Sequence, residues 1–162
     1  MNGVPGLHPG VAMLAPLIGT WTGAGHGDYP TIEPFDYLEE VTFAHIGKPF
    51  LAYTQRTRSP AGDALHAETG YLRLPAPGRI ELVLAHPTGI TEIDEGTVTA
   101  DGGSIVIAAH STTIALSGSA KDVFAVARDL RVDGDELNYT VSMAAVGQPL
   151  QQHLIATLRR SP

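Results

Sequence analysis

A chain of 162 residues with an apolar fraction of 43% is long enough to bury a core, so residues 1–162 are expected to form one domain despite 18 glycines and 12 prolines. The absence of cysteine excludes disulfides, thiolate zinc, iron–sulfur clusters and thiol nucleophiles, and a formal charge of −7 argues against nucleic acid or an anionic membrane as partner. No apolar run approaches the roughly 20 residues that span a bilayer, and Met1–His8 lacks the basic, apolar start of a leader, so a cytoplasmic location is expected.

The first patterned stretch is His8–Gly19. Pro9 suits a first helical turn, Val11, Leu14, Leu17 and Ile18 share a face, and Gly19 ends it. A short helix there is suited to plugging one end of a barrel. Strands are then predicted over Thr20–Asp28, Tyr37–Ala44, Pro49–Thr57, Leu65–Leu74, Arg79–His86, Ile90–Thr99, Ser104–Ser111, Asp122–Val132 and Glu136–Ala144, with a last strand through His153 to Arg160. Short Gly, Pro, Asp and Ser turns separate them, and Pro30–Pro34 reads as a rigid loop. About ten strands at near-even spacing, with no long helical period between them, predict an all-β fold: an antiparallel up-and-down barrel.

A barrel of that size has an interior too wide for its own side chains to fill. Leu137, Tyr139, Val141 and Met143 alternate with polar residues, and so do Ile80, Leu82, Leu84 and His86; both rows are expected to face inward. Leu65–Arg73 mixes polar and apolar groups on both faces. In the last strand His153 shares a face with Ile155 and Thr157, opposite Leu154, Ala156 and Leu158. If the His153 face looks inward, its imidazole is a packed polar residue or a ligand for a metal or haem in an apolar cavity.

Seven histidines occur without any H-x-H or H-E-x-x-H pair, which gives little support to a catalytic zinc site. His8 and His26 read as solvated, His45 and His110 as strand ends, and His66 and His86 as candidates to line the cavity. No G-x-S-x-G is present, and Glu39 and Glu40 point to opposite faces, so neither a nucleophile elbow nor a carboxylate pair is indicated. The glycines at 23, 25 and 27 lack the helix and Lys-Ser/Thr of a phosphate loop; they are expected to let a strand coil or a flat ligand approach the backbone.

Gly19-Thr-Trp21-Thr-Gly23-Ala-Gly25 followed by Tyr29-Pro30-Thr31 resembles the G-x-W-x-G-x-G motif and Y-P-T loop of nitrobindins. Gly47-Lys-Pro49, Tyr53-Thr-Gln55, His66-Ala-Glu68-Thr-Gly70-Tyr71 and the closing Gln148-Pro149-Leu150 before His153-Leu154 extend the similarity from about Leu14 to Arg159. The resemblance implies a ten-stranded barrel of fatty-acid-binding-protein or lipocalin shape, holding one ferric haem b per chain. It implies isomerisation of peroxynitrite to nitrate, reversible nitric oxide binding and a possible homodimer. It places the axial iron ligand at His153 and the motif at Gly19, Trp21, Gly23 and Gly25. It puts Met143, His66 and Thr31 around the cofactor, with Lys121 or Arg128 for a propionate; Leu65 and His86, where this chain departs from the family, are expected to line the same pocket. Two alternatives stay open: a carrier of a fatty acid or other lipophile, which an interior basic side chain would favour, and a haem carrier or nitric oxide sensor without turnover.

Overall fold

The computed structural model describes residues 3–162; the first two residues of the domain expected over 1–162 lie outside the described residues. Ten strands follow an N-terminal 3₁₀ segment, Pro9–Leu17. They are β1 (Gly19–Tyr29), β2 (Ile32–Ala44), β3 (Leu51–Arg58), β4 (Ala64–Arg73), β5 (Arg79–His86), β6 (Ile90–Asp101), β7 (Ser104–Leu116), β8 (Val123–Asp133), β9 (Glu136–Ala145) and β10 (Gln151–Arg160). Each pairs antiparallel with its chain neighbours, and β1 pairs with β10 through Trp21↔Arg160 to Gly27↔Leu154, which closes the barrel and leaves no free edge.

One end of the barrel is plugged. Val11, Leu14 and Leu17 of the 3₁₀ segment are fully buried, as is Trp21 beneath them. The Trp21 indole N–H donates to the Leu17 carbonyl at 2.8 Å, and the Arg160 guanidinium lies 4.3 Å from the Trp21 ring centroid. Arg160 also donates to the carbonyls of Pro16 and Ile18, so the last strand is tied to the plug. Trp21 thus serves the closure. The larger core cluster fills this half with Leu51, Ile80, Val98, Ile105, Val132 and Leu158, and a smaller one (Tyr29, Val123, Val126, Val141, Ala145) lies toward the other end.

The expected short helix is present as a 3₁₀ segment, broken at Val11 (φ −126°), with Pro16 removing an amide donor inside it; Ile18 rather than Gly19 caps it, and Gly19 opens β1 at φ 131°. Two further local expectations are corrected. Pro30–Pro34 is not a loop throughout: Pro30 and Thr31 make a tight turn, and β2 starts at Ile32. The glycine row of β1 does not await a ligand. A Cβ on Gly25 or Gly27 would collide with the ring of Tyr37 or Phe35, so these glycines form the bed on which two interior aromatics lie.

Candidate functional site

The unplugged end opens into a cavity of about 460 Å³. His153 reaches it through an irregularity. In the β9–β10 ladder Gln152 pairs with Ser142 and Leu154 with Val141, so His153 and Leu154 together oppose one residue, a β-bulge. Strict alternation would send His153 outward with Ile155 and Thr157, of which Ile155 is 46% exposed. The bulge resets the parity, and both His153 and Leu154 line the cavity. The expectation that His153, Ile155 and Thr157 share a face is therefore corrected: the inward face is Leu154, Ala156 and Leu158, with His153 added by the bulge.

Two contacts hold the imidazole. Nδ1 lies 3.1 Å from the Asp28 carbonyl oxygen, which can only accept, so Nδ1 carries the proton and Nε2 keeps its lone pair. The Tyr29 ring packs edge-on at 5.3 Å. Tyr29 is itself fixed, its hydroxyl donating to the Met143 carbonyl at 3.1 Å and accepting from the Ala145 amide at 2.9 Å. Phe35, Leu65, Ile90, Val123, Met143 and Leu154 give apolar walls around this single donor. Such an arrangement fits a flat, largely apolar cofactor anchored through one axial nitrogen.

The facing wall is charged. In the ring order β5 lies diametrically opposite β10, with β4 beside it. Arg128 of β8 reaches into the interior and donates to Glu68 (3.0 Å), Glu92 and Asp94 (3.1 Å). Burial would raise the Glu68 carboxyl, but Arg128, with His66 and His86 beside it, holds it well below the usual carboxylate range. Glu92 is likewise held low against its burial by His86 and Arg128. Asp94 takes the opposite course: burial and the Glu92 charge push it up to about 7. Glu39, bonded by Tyr139 and Gln55, is pushed by burial up to about 7, and the Tyr139 hydroxyl also meets Tyr37 at 2.7 Å.

Of the residues singled out from sequence, His153, Met143, His66, Leu65, His86 and Arg128 line the cavity. Thr31 sits exposed in the β1–β2 turn, and Lys121 is exposed on the β7–β8 link at the open end; neither contributes to the lining. Arg128 lies in the interior with its donors on carboxylates, away from the rim where a propionate would sit. Tyr139 faces inward as its row was expected to, whereas the interior places of Glu39, Glu68, Glu92, Asp94, Tyr37 and Tyr53 were not anticipated. Parity held a signal for two of them, since Glu92 and Asp94 share the inward register of Val98.

Residues 10–160 match the family described as THAP4-like, heme-binding beta-barrel domain. The chain is 66% identical to peroxynitrite isomerase 1 of Mycolicibacterium paratuberculosis, over 95% of this chain and 96% of that protein. It is 64% identical to peroxynitrite isomerase 2 of Mycobacterium avium, again over 95% and 96%. Among solved structures, Rv2717c from M. tuberculosis superposes with a TM-score of 0.95 at 56% identity, covering 97% of this chain and 100% of that one.

Proposed function

Since the chain belongs to the THAP4-like heme-binding β-barrel domain family, we propose that it is a ferric haem b protein that isomerises peroxynitrite to nitrate, with one haem per chain. The observation that carries this reading is His153, turned into an apolar cavity by a bulge and left with a free Nε2 by its bond to Asp28. Haem held by His153 would supply a ferric iron able to promote the isomerisation of peroxynitrite to nitrate without net redox change.

The chain's own residues supply the rest. Asp28 holds the His153 tautomer, and Tyr29 braces the ring against rotation. Leu65, Ile90, Val123 and Met143 exclude water and confine reactive species. His66, 35% exposed on the facing wall, offers a hydrogen bond toward the open side. Lys121, exposed on the β7–β8 link at the open end, is assigned to a propionate. Nitric oxide binding at the same iron and pairing into a homodimer belong to this reading.

A fatty-acid carrier needs a free interior cation for the lipid carboxylate. Arg128 is interior, but Glu68, Glu92 and Asp94 already surround it, which argues against that use. Hemin titration read by Soret absorbance tests the proposal. Wild type is expected to saturate at one haem per chain and His153→Ala to lose saturable binding; only the loaded wild type is expected to accelerate peroxynitrite decay in stopped flow. An intact Soret band in His153→Ala would sink the axial assignment, and loaded protein without turnover would leave a haem carrier.

A further inference from the structure

The geometry points to a second site in the same cavity, for a divalent transition-metal ion held by His66, Glu68 and His86. Glu68 Oε2 lies 3.7 Å from His66 Nε2 and 3.3 Å from His86 Nδ1, and the two ring nitrogens are 3.2 Å apart. Ligands at about 2.0–2.1 Å from a tetrahedral ion stand about 3.3 Å from one another, so this triangle already has the size of one ligand face. Two imidazoles and one carboxylate are a donor set suited to zinc or ferrous iron, and it leaves at least one position toward the cavity.

The surroundings divide the work between atoms. Glu68 Oε1 is taken by the Tyr53 hydroxyl at 2.6 Å and by Arg128 Nη1 at 3.0 Å. Oε2 keeps only a long 3.5 Å approach from Arg128 Nη2 and faces the histidines. Coordination through His86 Nδ1 puts the proton on Nε2, a buried atom without a hydrogen-bond partner, 3.7 Å from Glu92 Oε2. A carboxylate behind the distal nitrogen of a ligating imidazole is the usual outer support of such sites. Without the ion, the His66 and His86 nitrogens share one hydrogen bond across the same gap. The site does not depend on His153, which stands on the opposite wall.

Calorimetric titration of the full chain as purified, its haem content measured, with Zn²⁺ tests this; Co²⁺ then reports geometry through its visible ligand-field bands. Wild type and His153→Ala are expected to bind one equivalent. Outer-shell partners alone are worth about 10–100-fold in metal affinity, so His86→Gln and His66→Ala are each expected to weaken binding by about 100-fold or more. His66 is partly exposed, so His66→Ala keeps the test decisive should His86→Gln fail to fold. Absence of saturable Zn²⁺ binding in wild type, or unchanged affinity in a folded His66→Ala, would overturn the site. Loss of Zn²⁺ binding in His153→Ala would place the ion on the wrong wall and overturn it equally. Failure of the haem reading appears separately, as a Soret band that survives His153→Ala.

Discussion

Arg128 is a cation packed among carboxylates, and its worth lies in what its removal would strand. Replacing one partner of a buried ion cluster leaves the others unpaired, at a cost of about 3–5 kcal/mol. Arg128→Leu leaves Glu68, Glu92 and Asp94 in that position, so its urea midpoint should fall by a corresponding amount, and a near-neutral result would refute the network. A smaller change tests the brace on His153. Tyr29→Phe removes the hydroxyl that links to Met143 and Ala145, which costs about 1–2 kcal/mol of stability; it should also loosen haem affinity measured by hemin titration. The residue scale is where sequence reading fell short. A charged side chain in an alternating strand is assigned to solvent by default, yet Glu39, Glu68, Glu92 and Asp94 are all buried, and Glu68, Glu92 and Asp94 share one guanidinium that arrives from β8. Those partners meet through closure of the sheet, which no local pattern encodes.

At the scale of elements, period-two alternation and short turns located all ten strands: most have one apolar face, and the mixed Leu65–Leu74 stretch is bounded by its Gly- and Pro-containing turns. What alternation cannot register is a bulge, since one inserted residue inverts the parity of everything before it. Pattern offered His153 as a packed polar residue or a ligand, and motif resemblance chose between the two. The β9–β10 connection that delivers it also carries Val146 at φ 46°, a left-handed conformation costly for a β-branched residue. Val146→Gly relieves about 1 kcal/mol of that cost. The variant is therefore expected to raise the thermal midpoint while leaving hemin affinity unchanged; a lower midpoint would show that the valine side chain's contacts outweigh its backbone.

The molecule as a whole should show an unusual pH response, because it buries a carboxyl that resists ionisation. The Glu39 value is about 7 against an ordinary 4.5, so the folded state holds this proton more tightly than the unfolded state. Its contribution is fully present below the ordinary value and is lost as pH rises through about 7. Between about pH 5 and about pH 8, wild type should lose stability relative to Glu39→Gln by roughly 3 kcal/mol at most. Parallel urea curves for the two proteins would contradict this.

The pairing of β1 with β10 carries a further consequence, one of timing. On the ribosome β1 is made early and its closing partner last of the ten strands. Until residues 151–160 emerge, β1 and β9 are raw edges, His153 has not been made and the cavity lacks a wall. Barrel closure and cofactor capture are thus deferred to the end of synthesis, when the most sequence-distant contacts form. Such contacts fold slowly and leave the unfinished chain open to misassociation. A nascent chain stalled before Gln151 should be aggregation-prone and unable to retain haem, whatever the quality of the nine strands already made.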